Sequence, residues 1–159
     1  DALVGVRYRD SAAVRRKAFD IVPCFDFDPA WIVDAQFSPR PARQVSLATV
    51  DPDVHEQATV VGVVDFEVAG SSHQLEVFGD PQRPFLNFYD LTNGQTTADW
   101  RFVMIDLVDP ESGQAKIDFN RAMNFPFAFL PGGCTCPKPL PEAHLDVEVT
   151  AGERCPELG

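Results

Sequence analysis

The stretch ATVVGVVDFEVAGSSHQLEVFG, residues 58–79, decides the fold. Its first half, ATVVGVVDFEV (58–68), is a long apolar segment rich in Val, a residue whose branched side chain suits an extended backbone. It runs into the turn AGSS and returns as HQLEVFG, with Gly70 placed where the chain must reverse. An apolar limb, a glycine turn and a return limb predict a β-hairpin, and hence an antiparallel sheet.

Outward from this hairpin, the same period of two recurs in segments of strand length bounded by Pro, Gly, Asp and Asn. Upstream, AWIVDAQF (30–37) puts Trp31, Val33, Ala35 and Phe37 on one face, opposite Asp34 and Gln36, and RQVSLATV (43–50) alternates Val45 and Leu47 with Ser46. Downstream come RPFLNFYDL (83–91) and WRFVMIDL (100–107), which bracket the loop TNGQTTAD, then QAKIDF (114–119) after the turn DPESG. Near the end, HLDVEVTA (144–151) alternates Leu145, Val147 and Val149 with His144, Asp146 and Glu148. Only SAAVRRKAF, residues 11–19, reads as a helix, a short one capped by Ser11. Eight such segments predict a mainly β fold, an antiparallel β-sandwich or partly closed β-barrel with a short N-terminal helix.

The chain has 159 residues, the usual length of one domain, so residues 1–159 are expected to form a single domain with one core. Hydrophobic residues make up 45% and charged residues 23%, as in ordinary globular chains. The 24 acidic residues outnumber the 13 Lys and Arg, giving a net charge of -11. Such a charge repels nucleic acid and anionic membrane surfaces, and neither is expected as a partner. Carboxylates in excess, with only three lysines (Lys17, Lys116 and Lys138), fit a high-salt habitat and equally a GC-rich genome.

No apolar run reaches the length of a membrane span, and the opening DALVGVRYRD lacks the pattern of a signal peptide. A cytoplasmic location is expected, and a homo-oligomer is as compatible with the sequence as a monomer. The phosphate-cradling, dinucleotide-binding, nucleophile-elbow and HExxH motifs are all missing, and the three histidines are scattered. No cofactor is expected.

A series of short motifs runs through the second half. Phe88, Asp90, Thr92 and Gly94 form one block, and Asp118, Phe119, Asn120, Ala122, Asn124, Pro126, Ala128 and Phe129 a second. Cys136, Pro137, Pro139, Pro141 and Glu142 follow, and Ala151, Gly152 and Glu153 close the series. In this order the chain resembles the bacterial and archaeal family catalogued as domain of unknown function 1684. The N-terminal half is similar too, through FDFDPAWIVDAQFSP and the hairpin. The chain departs from the family pattern at Phe127, where a Cys is expected, at Ala143, where an Asn is expected, and after Gly94, where it is a residue short. The resemblance implies a fold group and a set of positions, and no reaction.

Each candidate constellation has a structural and a functional reading. Asp118, Asn120 and Asn124, with Arg121, stand at a strand end, where they bind a polar ligand or shape a turn. Asp90 and Thr92 lie in a turn after an apolar strand, and Arg101 opens the next. If the loop around Asn120 and Asn124 lies alongside, Arg, Asp and two Asn side chains share one pocket. Glu142 and His144 alternate with Ala143, so they share one side of an extended backbone, either as a proton-transfer pair or as a solvated face. Cys134, Cys136 and His144 offer thiolate and imidazole ligands for zinc, but CxC with one lone His is poor spacing for a structural site, and no metal is expected. The expected function is therefore binding of a small polar or anionic ligand between strand-end loops, through Asp90, Thr92, Arg101, Asp118, Asn120, Asn124, Glu142 and His144. The alternative is a hydrolase using Asp118, Glu142 or His144 for proton transfer, with or without a metal.

Overall fold

The computed structural model describes residues 10–130 and 132–158. Residues 1–9, most of the opening stretch read for a signal peptide, and Pro131 of the Pro-rich loop lie outside the described residues. The chain begins with the short helix α1 (Val14–Ala18), narrower than the expected 11–19. Its N-terminal side is held by Asp10, whose carboxylate accepts from the Ala12 N–H at 2.8 Å, and not by Ser11. With Val14 82% exposed, little packing supports a longer helix.

The strands that follow are β1 (Phe19–Ile21), β2 (Ile32–Ala48), β3 (His55–Val68), β4 (Ser71–Asp80), β5 (Arg83–Asp90), β6 (Arg101–Asp109), β7 (Gln114–Asp118), β8 (Met123–Asn124), β9 (His144–Leu145) and β10 (Glu157–Leu158). From β2 to β7 each strand pairs antiparallel with the next, and β7 returns to β2 through Ile32 opposite Asp118 and Ala35 opposite Ala115. The sheet is thus a closed six-stranded barrel, which leaves no edge among these strands. Among the described residues no helix is long and apolar enough to cross a membrane.

The central hairpin forms as expected. Val68 pairs with Ser71, and the two residues between them, Ala69 (φ 51°) and Gly70 (φ 77°), both take positive φ, as a tight hairpin turn of matching twist requires.

Two expectations about strands are corrected. The segments 30–37 and 43–50 are one 17-residue strand, β2. Pro39 faces Gly62 and Arg43 faces Val60, so Arg40, Pro41 and Ala42 stand opposite Val61 alone. The prolines, which have no N–H to donate, sit in this bulge, and the chain bends there without reversing. The last segment, HLDVEVTA, is paired only at His144–Leu145, parallel to β5. Its apolar alternation survives, with Leu145 and Val149 buried; beyond Leu145 the Val147 carbonyl still accepts from the Leu91 N–H at 3.0 Å, and the Val149 and Ala151 carbonyls are taken by a side chain described below.

Residues from all six barrel strands meet in the main core, among them Phe37, Val64, Val77, Phe88, Ile105 and Ile117. Phe119, just past β7, lies among Phe88, Phe66 and Trp31, with ring centroids at 5.4, 6.2 and 6.3 Å. Leu145, Val149 and Ala151 of the C-terminal segment join the same core. Two smaller clusters lie apart from it, one around Trp100 and Phe127, stacked at 4.1 Å, and one around Leu47, Val60 and Phe78.

Candidate functional site

The polar residues at the end of β5 organise themselves first. Asp90 Oδ1 accepts from the Thr92 N–H at 2.8 Å and from the Thr92 hydroxyl, which also meets the Thr97 hydroxyl at 2.8 Å. Asn93 closes the loop from both ends, accepting from the Asp90 N–H at 2.7 Å and donating to the Ala98 carbonyl at 2.9 Å. The carboxylate of Asp90 is thereby fixed, with Oδ2 turned to the start of β6.

Arg101 fills the space beside it, and both side chains are fully buried. Nη2 donates to Asp90 Oδ2 and to the Val149 carbonyl, each at 2.9 Å. Nη1 donates to the carbonyls of Ala151 and Glu153. Burial lowers the pKa of the guanidinium from its ordinary value, while Asp90 and then Glu153 oppose that shift. The arrangement is a latch in which one cation, held by one carboxylate, gathers three carbonyls of the C-terminal segment. This accounts for the segment's lack of a strand partner from Val149 onward, since the carbonyls of Val149, Ala151 and Glu153 are satisfied by a side chain.

Asn124 does lie alongside, opposite Arg101 across the β6–β8 pair. Its N–H donates to Glu153 Oε2 at 2.7 Å and its Nδ2 to the Arg154 carbonyl at 2.8 Å. Asn120 serves a different element. Its Oδ1 accepts from the Asp28 N–H, its Nδ2 donates to the Asp28 carbonyl, both at 3.0 Å, and Asp118 Oδ1 accepts from the Asn120 N–H and Nδ2. The structure thus joins Arg101, Asp90, Thr92 and Asn124, and assigns Asp118 and Asn120 to a staple between the turn after β7 and the segment before β2.

Glu142 and His144 are both exposed. The His144 ring stacks on Tyr89 at 6.2 Å, and its Nδ1 lies 3.3 Å from Asp146, not beside Glu142. No hydrogen bond links Asp118, Glu142 and His144 among the described residues. The Cys134 and Cys136 sulfurs are 3.5 Å apart, and desolvation, with the Cys134 contact, pushes the Cys136 thiol up to about 11. Among the described residues no three His, Cys, Asp or Glu side chains gather as a metal site.

The closing Ala-Gly-Glu has its own structural demand. Gly152 has φ +76°, and a Cβ there would stand 2.6 Å from the Ala122 carbonyl oxygen and 2.8 Å from that of Phe119. Both obstacles are backbone and cannot rotate away. Gly152→Ala is expected to lower stability by at least about 2 kcal/mol, combining a left-handed conformation with overpacking. A urea melt checks this, and an unchanged midpoint would mean the tail does not pack tightly on the Phe119–Ala122 turn.

Open space lies on the outer face of β6. A cleft of about 590 Å³ is lined by Gln82 of the β4–β5 turn, by Arg83 at the start of β5, by Met104 and Asp106 of β6, by Pro110 and by Arg121. A neighbouring cleft of about 350 Å³ shares Met104 and Arg121 and adds Cys24, Asn120, Met123 and Glu153. Arg121 pairs with Asp106 at 2.7 Å, in solvent, and Arg83 is exposed with no ion pair among the described residues. The larger cleft therefore holds two guanidiniums and one carboxylate. Of the candidate residues expected from the sequence, none lines the larger cleft, and Asn120 lines the smaller one. Arg83 escaped the sequence reading, where the scarcity of cations in so acidic a chain was the one signal pointing to it.

Comparison with known proteins adds a family model described as Protein of unknown function (DUF1684), which matches residues 17–154. The solution NMR structure of an uncharacterized protein of Haloarcula marismortui is similar at 30% sequence identity and a TM-score of 0.67, over 87% of this chain and 78% of that chain. No curated protein matches the chain.

Proposed function

Because the chain belongs to the DUF1684 family, whose description assigns no activity, we propose a function from its own geometry: binding of a small anion in the groove between Arg83 and Arg121. The observation that carries this reading is the pairing of two of the few cations of a chain of net charge -11 along one cleft. Guanidinium forks suit carboxylate and phosphate groups. Asn120 lines the neighbouring smaller cleft, and its amide hydrogens are already donated to Asp28 and Asp118, so the anion's donors are the two arginines. The Asp90–Arg101 latch contributes no donors to the groove, because its guanidinium faces the protein's own carbonyls.

Binding rather than proton transfer is favoured because Asp118 is engaged in its own turn and His144 lies by Asp146. The same reading assigns the protein to the cytoplasm, in keeping with four cysteines that stand as free thiols. Titrating the protein with succinate and with inorganic phosphate, followed by calorimetry, tests the groove. At least one of the two is expected to bind, with Arg83→Gln and Arg121→Gln each weakening it by about tenfold, the worth of one charge-assisted contact. Binding that neither substitution alters would place the anion elsewhere, and no heat with either anion would remove the support for this reading.

A further inference from the structure

A third cleft, more apolar than the arginine groove, lies away from it. It has a volume of about 310 Å³; Leu47, Phe78, Phe85, Phe125 and Pro137 form its apolar wall, with Asn87 among them and the polar Glu56, Gln57 and Thr59 along one side. Asn87 is on β5 opposite Phe102, one position after Leu86 and two after Phe85, so it shares Phe85's side and faces away from the barrel interior that Leu86 enters. It is nevertheless only 1% exposed. A run of phenylalanine rings covers it, with Phe78 to Phe85 at 6.0 Å, Phe85 to Phe102 at 6.3 Å and Phe102 to Phe125 at 4.8 Å.

In this setting the Asn87 Oδ1 has no hydrogen-bond partner among the described residues. A buried amide oxygen without a partner costs free energy, and a Leu or Val would fill an aromatic wall at no such cost. A few polar groups in a largely aromatic and aliphatic cleft are how small-molecule sites fix orientation, and this volume is at the low end of their range. The rim carries the exposed carboxylate of Glu56, which disfavours an anion. We propose that this cleft is a site for a neutral, flat, one- or two-ring aromatic compound that donates one N–H or O–H to Asn87 Oδ1 while its rings pack among Phe78, Phe85 and Phe125. It is independent of the anion groove in residues and in ligand chemistry.

Indole and 1-methylindole are the probes, since they share a shape and differ in one N–H donor. With isotope-labelled protein, indole is expected to shift the Asn87 side-chain amide resonances, and 1-methylindole to bind about tenfold more weakly, the effect of one hydrogen bond. Asn87→Leu is expected to erase that difference, leaving both probes with the weaker affinity. The proposal is overturned if indole causes no shift at its solubility limit, if the two probes bind the native protein equally, or if the difference persists in Asn87→Leu. The comparison of the two probes on the native protein stands even if the variant fails to fold.

Discussion

Replacing Arg101 by Met is expected to cost about 3–5 kcal/mol, the range for removing one partner of a buried ion pair. Three losses coincide. Asp90 keeps a buried negative charge with no cation beside it. The carbonyls of Val149, Ala151 and Glu153 lose their donors, and they lie 48 to 52 residues further along the chain, so no local group replaces Arg101. The C-terminal segment, which covers the core with Leu145, Val149 and Ala151, then loses what holds it against the barrel. For a domain whose total stability is about 5–15 kcal/mol, this is a large fraction. Urea unfolding measures it, and a loss under about 1 kcal/mol would deny the latch its structural role. Adding Asp90→Asn to Arg101→Met is expected to recover part of the loss by removing the unpaired charge while keeping an acceptor for Thr92.

Phe119→Ala is expected to destabilise by about 3–5 kcal/mol, the range for truncating a buried aromatic ring. Phe119 is fully buried and touches rings from β3, β5 and the turn before β2, so its removal opens a cavity that no single neighbour can fill. Its neighbour offers an internal control. Asn120→Ala removes a half-exposed staple to Asp28 and is expected to cost about 1 kcal/mol, as hydrogen bonds of this kind do. Equal losses at the two positions would show that the motif is held by its hydrogen bonds and not by the ring.

The contrast within Asp118-Phe119-Asn120 illustrates what could be read in advance. That Asp and Asn shape a turn follows from their short polar side chains, which meet nearby backbone whatever the rest of the chain does. That Asn120 reaches Asp28, 92 residues away, depends on β7 pairing with β2. Similarly, Arg101 and Asp90 were legible as a pair across one loop, while the three carbonyls that the guanidinium gathers were not. Glu142 and His144 share an exposed side as alternation implies, yet His144 pairs with Asp146, since exposed side chains turn to whichever charge is near.

What the sequence determined by itself is the β character of the chain, its hairpin, and the apolar face of nearly every strand. A period of two and a glycine turn are local properties that burial on one side of a sheet enforces. The tertiary structure alone decided that β2 continues through its prolines, because a bulge opposite Val61 absorbs residues that in isolation resemble a turn. It alone decided that the sheet closes through β7 and β2, and that Arg83 and Arg121 share a groove while Asn87 lines a cleft walled by phenylalanines. These depend on contacts between segments far apart in the chain, and such contacts leave no periodic mark on either segment.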